Sequence, residues 1–229
     1  MGVHDGHRQR MKQRFLEHGL DNFNDINALE LLLFYALPRC DTNVVAHRLL
    51  DSFGSFPAVL EASAQELEKV EGVGESAAVL LRLVPQMSRR YMTAKAESMD
   101  VLSDSAAAGS YFLPRYMYEQ DEVVYLACLD SVHRVICCRE IGRGVVNAAE
   151  VSVRKIVELA LQQNSAAAIL SHNHINGLAL PSREDELTTR KISSALSLVG
   201  IKLVDHIIVA GDEFVSMADS GLLNGAFDA

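Results

Sequence analysis

The sequence predicts two domains of different class, an all-helical one over residues 1–95 and an α/β one over residues 106–229. Three observations carry this. No run in the first 95 residues alternates with period two, and its apolar stretches repeat at helical spacing. Residues 96–105 are small, polar and weakly periodic, and read as a linker. From Val123 onward, β-rich runs alternate with amphipathic helical ones, the pattern of a central sheet covered by helices.

In the first domain, Ala28–Leu37 is a compact apolar helix stopped by Pro38, and Asn43–Phe53 is a second, closed by Gly54. Phe56–Leu60, Ala64–Val70 and Ser76–Tyr91 follow as helices, the last two joined by Glu71-Gly72-Val73-Gly74-Glu75. In the second, Ala106–Tyr118 reads as helical, with Pro114 as a point where it can kink. VVYLACL from Val123 and HRVICCRE from His133 form a hairpin around Asp130-Ser131. A helix over Val151–Gln163, a buried strand over Ala166–Ser171, a helix over Ser182–Leu198 and a strand over Ile201–Val209 come next, with a short strand at Phe214–Ser216.

Composition narrows the function classes. With 49% apolar and 22% charged residues, the chain has the profile of a globular protein. No stretch approaches the ~20 apolar residues of a membrane helix, and the N-terminus lacks the apolar core of a secretory signal, so the expected location is the cytoplasm. The four cysteines, Cys40, Cys128, Cys137 and Cys138, form no C-x-x-C pair and read as reduced thiols. The net charge of −9 is uneven: −1 over residues 1–95 and −8 over 96–229. The second domain is thus a poor electrostatic partner for a nucleic-acid backbone, while the first begins with a basic cluster, Arg8, Arg10, Lys12 and Arg14.

The most informative segment is Ser171-His172-Asn173-His174, a seven-residue loop, then Ser182-Arg183-Glu184-Asp185. Histidines two apart at a strand end project from the same side. The Gly- and Pro-containing loop allows a sharp return, and Asp185 falls in the first turn of the next helix. Two imidazoles and a carboxylate leave a fourth position open, the layout of a catalytic zinc site. Two plainer readings stand beside it. Ser182-x-x-Asp185 is close to a helix capping box, and the histidines can be loop residues.

H-x-H-x7-S-x2-D matches the JAMM motif of the JAB1/MPN metalloprotease family, and its surroundings resemble the bacterial RadC branch. The resemblance rests on Arg143-Gly144, Val151–Ala160, His172-Asn173-His174, Pro181–Asp185 and Asp205-His206-Ile207-Ile208-Val209, and covers about residues 100–220. The ELLLFYAL helix and Leu67–Ala78 extend it into the first domain. It implies an α/β MPN fold (JAB1-like, deaminase-like) with a mixed central sheet, preceded by a helix-hairpin-helix-like domain. It also implies one Zn²⁺ per chain on His172, His174 and Asp185. Counting back from Arg143-Gly144, the family's upstream glutamate falls on Glu140, with Glu150 as competitor. Glu140 would then be the base, Ser182 would donate to the oxyanion, and the substrate would be a peptide or protein. Three positions depart from the family pattern: Ile175 and Val153 stand where proline is usual, and Val145 where threonine is common. His206 either orients a ligand or is a satisfied structural histidine.

The turn Glu71–Glu75 resembles a helix-hairpin-helix turn, whose backbone holds a phosphate. Glu71 and Glu75 compete for that position, so any DNA binding is expected to be weak and non-specific. Zinc hydrolase, DNA-associated accessory protein and metal-stabilised scaffold are therefore the readings to separate.

Overall fold

The structure is a computed structural model and describes residues 3–99, 101–144, 152–175 and 177–223. The chain divides into two compact units, Met1–Ser88 and Arg89–Ala229.

The first unit carries α1 (Val3–His18), α2 (Asp25–Leu33), α3 (Thr42–Phe53), α4 (Phe56–Glu61), α5 (Ala64–Leu67) and the start of α6 (Glu75–Glu97). Local side chains fix where these helices begin. Asn24, Asp41, Ser55 and Ser63 each accept hydrogen bonds from the first free amides of α2, α3, α4 and α5. Each such cap contributes about 1 kcal/mol. Leu29, Leu33, Val45, Leu49, Leu67 and Leu81 form the centre of this unit's core.

Helix α1 has no counterpart among the elements predicted from periodicity, because few of its residues are apolar. Its cations pack instead on α2 and the loop after it. Arg8 lies 4.8 Å from the Phe34 ring centre and Lys12 5.0 Å from that of Tyr35. Arg8 also donates to the carbonyls of Leu37 and Cys40, at 2.9 and 2.8 Å. The predicted 28–37 helix is shorter at its C-terminus: α2 ends at Leu33, ahead of Pro38. Helix α6 runs to Glu97, so the predicted linker shortens from its N-terminal side.

The second unit is built on a five-stranded mixed sheet in the order β2-β1-β3-β4-β5. The strands are β1 (Val123–Leu129), β2 (Val135–Arg143), β3 (Ala167–Asn173), β4 (Lys202–Ala210) and β5 (Glu213–Ser216). Among the described residues only the β3–β4 pair is parallel; β1 pairs antiparallel with both β2 and β3, and β4 with β5. Helix α7 (Ser105–Tyr116) packs on one face, where Ala108, Tyr111 and Phe112 meet Ala127, Ile169 and Ile207. Helices α8 (Val153–Gln162) and α9 (Arg183–Ser197) pack on the other, where Ile156, Ala160, Ile192 and Leu196 meet Leu126, Ala168 and Leu170. Alternation along β1 and β3 divides their residues between these two cores, as period-two geometry requires.

Strand β4 breaks that alternation. The register steps from Ala168↔Leu203 to Ile169↔Asp205, which inserts one extra residue in β4. Leu203 packs on the α8–α9 side, whereas Val204, Ile207 and Val209 pack on the α7 side.

Candidate metal centre

Leu170 faces α8 and α9, so His172 and His174, two and four residues on, emerge on that same side. Their rings lie 4.8 Å apart. The backbone N–H of His174 donates to Val209 O at 2.8 Å, which prolongs the β3–β4 pairing through the second histidine. The chain then returns to Ser182, the N-cap of α9. Asp185 stands at the third helical position, 3% exposed. His172 Nε2 lies 3.2 Å from Asp185 Oδ1 and His174 Nε2 3.5 Å from Oδ2. The two Nε2 atoms are 2.9 Å apart. One ligand atom from each of the three residues falls within 4.8 Å of the others.

These residues fit a metal ion by the chemistry of their donors. His174 Nδ1–H donates to Leu178 O at 3.2 Å, which leaves Nε2 as a lone pair in the neutral ring. A second imidazole nitrogen and a carboxylate oxygen point at the same spot. Two nitrogens, one oxygen and an open fourth position suit Zn²⁺.

Ser182 joins the cluster through a complete capping box. Asp185 N–H donates to Ser182 Oγ at 3.1 Å, while Ser182 N–H and Oγ–H donate to Asp185 Oδ2 at 2.8 and 2.6 Å. The motif is thus both a cap and part of a cluster that can hold a metal ion. The single hydroxyl proton of Ser182 is engaged by Asp185 in this structure.

Glu140 is not brought to the cluster. It pairs in register with Tyr125, whose side chain packs with the α7-side core, on the opposite face from His172 and His174. Its carboxylate is held by Arg143, at 3.0 Å from Nε and 2.9 Å from Nη2. A register break between Val124 and Tyr125 contributes to this placement. Among the described residues, Glu122 is an acid that meets the site. Val124 is opposite His172, so antiparallel register sets position 122 opposite 174 and on the same face. The competitor Glu150 lies outside the described residues, as does Val145.

A RadC-like JAB domain model matches residues 102–222. The UPF0758 protein of Nitrosococcus oceani is 35% identical over 215 residues, covering 94% of this chain and 96% of its own. That of Azotobacter vinelandii is 34% identical over 224 residues, covering 97% and 100%. A third, from Idiomarina loihiensis, is 33% identical over 215 residues, covering 94% and 96%. The chain belongs to the RadC-like JAB-domain family. Its second unit is a JAB/MPN-like domain with a mixed sheet and flanking helices, preceded by a helical region.

In this RadC-like chain, Asn173 positions Glu122. Its Oδ1 accepts from Val123 N–H at 2.7 Å and its Nδ2 donates to Asp121 O at 3.1 Å, clamping both neighbours of Glu122 to the end of β3. Glu122, Asp121, Gly144, His174, Ile175 and Gly177 line a cavity of about 380 Å³. Burial raises the pKa of Glu122, and the positive character of His174 and His172 offsets part of that rise. Asp185 is also penalised by burial, but the adjoining imidazoles of His172 and His174 and the hydrogen bond from Ser182 outweigh this and hold its carboxyl far below the ordinary range. His174 is raised, chiefly by its bond to Asp185. His206, fully enclosed, is pushed well below its ordinary value by burial and then by His172. Glu122 has a sequence signal after all, since it immediately precedes the strand that pairs with the H-x-H strand.

The glycine turn of the first unit has Gly72 at φ +96°, where an added Cβ would lie 2.9 Å from Val45 Cγ2. Arg48 donates to Glu71 O at 3.1 Å and pairs with its carboxylate at 3.0 Å. Glu75 opens α6. Among the described residues, no helix is long and apolar enough to cross a membrane.

Proposed function

We propose that this protein is a zinc-dependent hydrolase of the JAMM type, cutting an amide bond in a peptide or protein. His172, His174 and Asp185 hold the metal, and Glu122, in place of Glu140, is the base. The observation that carries this reading is the register of β1 on β3, which supports a carboxylate opposite His174 on the ligand face. When bound, Zn²⁺ supplies Lewis acidity that lowers the pKa of water toward ~7 and polarises a carbonyl. Glu122 takes the proton that an attacking water loses and returns it to the departing amine. Its raised pKa moves it toward the range in which a carboxylate exchanges protons near neutrality. Ser182 keeps Asp185 aimed at the metal rather than contacting substrate. DNA association, if it occurs, belongs to the first unit and is weak, because Glu71 and Glu75 occupy the turn where a phosphate would sit.

The test is zinc content and peptide cleavage of the purified chain. Wild type should hold about one zinc and lose it on His172→Ala. Glu122→Gln should keep zinc and lower cleavage by ~10²–10⁴, while Glu140→Gln cleaves as wild type does. Loss of cleavage in Glu140→Gln alone would return the base to that position. Zinc binding with no cleavage across a peptide and isopeptide panel would favour the scaffold reading.

A further inference from the structure

Behind the ligand cluster lies a chain of buried polar groups in which the hydrogens of Thr189 and His206 can be placed. Thr189, His206 and Met217 are all fully buried. Thr189 Oγ1 lies 2.6 Å from the backbone oxygen of Asp185, one turn earlier on α9. It also lies 2.6 Å from His206 Nδ1, and 3.4 Å from Met217 Sδ. His206 Nε2 lies 2.8 Å from His172 Nδ1.

A carbonyl oxygen can only accept, and a hydroxyl has one proton, so Thr189 gives its proton to Asp185 O. His206 Nδ1 must then carry a hydrogen and donate it to the Thr189 oxygen. A neutral imidazole has no second N–H, so His206 Nε2 is a lone pair. His172 Nδ1 must therefore be the donor of that pair, and in a neutral ring His172 Nε2, 3.2 Å from Asp185 Oδ1, is left as a lone pair.

We infer that Thr189 and His206 are positioning residues that lock His172 in its Nδ1–H tautomer, presenting Nε2 to the metal. This rests on the metal-site reading but not on hydrolysis. Hydrogen-bond partners behind a ligating histidine set its tautomer and ring orientation, and their loss typically lowers metal affinity ~10–100-fold. The same threonine ties the carbonyl of Asp185 to the chain, so one hydroxyl couples the ligand on α9 to the ligand on β3. The extra residue in β4 makes this possible. Regular alternation from Leu203 would have carried Asp205, not His206, to the ligand side.

The test has two readouts independent of catalysis. Ring-nitrogen NMR of the metal-free wild type should show His172 with hydrogen on Nδ1. Finding hydrogen on Nε2 instead would overturn the inference without any variant. Chelator competition with Zn²⁺ should then show ~10–100-fold weaker binding in Thr189→Val and in His206→Phe. His206→Gln, whose amide oxygen can accept from His172 and whose amide nitrogen can donate to Thr189, should recover most of the loss. Circular dichroism identifies any variant that fails to fold, and the wild-type tautomer decides the question in that case. Folded Thr189→Val and His206→Phe proteins that bind Zn²⁺ within twofold of wild type would overturn the inference while leaving the hydrolase proposal intact. Locked tautomer and weakened variants in a protein that cleaves nothing would leave the inference and remove the hydrolase.

Discussion

The two units treat buried polar groups differently. Among the described residues, the helical unit buries the polar side chains of Glu30 and Thr42, while the sheet unit buries a much longer series that includes His172, Asn173, Asp185, Thr189, Asp205 and His206. Burying such groups costs free energy unless each finds a partner, and here they find one another. Asp205 illustrates it: one oxygen accepts from Ser216 Oγ at 2.6 Å, the other from the amides of His206 and Ala218 at 2.7 and 3.0 Å. In the first unit a deeply buried carboxylate, Glu30, is satisfied by His7 and Asn43 at 2.9 and 3.0 Å. The contrast teaches that a polar interior marks chemistry only where its free acceptors meet at one point. In the helical unit the polar contacts complete packing; in the sheet unit they leave a place for a cation.

The contrast can be tested first by adding zinc. At ~1,000 times the dissociation constant, binding should stabilise the protein by about 4 kcal/mol. Hydrogen exchange should place the new protection in β3 and the first turn of α9, with α2 to α5 unchanged. A uniform gain across both units would erase the distinction drawn between them.

The same site should carry a pH signature. His174 is raised above its ordinary 6.5 in the folded protein, chiefly by Asp185. Its contribution to metal-free stability is therefore full below about pH 6.5 and lost as pH rises through the folded value. Zinc must displace that proton, so zinc affinity should rise with pH across the same window. Thermal melts and chelator competition over a pH series check both slopes, and parallel slopes would contradict the assignment of His174 as ligand.

Packing changes should stay within their own unit. A Cβ on Gly109 would overlap the Phe214 ring, where α7 meets β5. Gly109→Val should cost about 3 kcal/mol, the upper end of overpacking, in a urea melt. Gly72→Ala should cost about 1–2 kcal/mol, because its φ is left-handed and Val45 stands in the way, with no change in zinc affinity. The smallest effect concerns DNA. Glu71→Gln with Glu75→Gln should strengthen binding to a short duplex a few-fold at low salt and not at high salt, read by fluorescence anisotropy. Strengthening that survives high salt would point to a site of another kind.

Much of the fold was legible because its signals are local. The β-rich run VVYLACL, the caps of α3 and α9 and the amphipathic run of α8 each declare an element within a dozen residues. Helix α1 was not legible, since its stabilising contacts are cation–aromatic pairs to Phe34 and Tyr35 on another segment. The site divides in the same way. His172, His174 and Asp185 follow from one strand's period and one helix's first turn, and the structure brings those three together. Glu140 was inferred by counting along the chain, and a count cannot see which face a residue takes two strands away.

What the sequence determined by itself, then, is the His172, His174 and Asp185 cluster and its likeness to a family, because short-range geometry makes H-x-H converge and S-x-x-D cap a helix. What the tertiary structure alone decided is which further groups surround that set. Glu122 rather than Glu140 faces it because of the pairing of β1 with β3, and His206 rather than Asp205 backs it because of one extra residue in β4. In a sheet a shift of one residue turns a side chain to the other face, and pairing between distant segments, which no single segment encodes, fixes that choice.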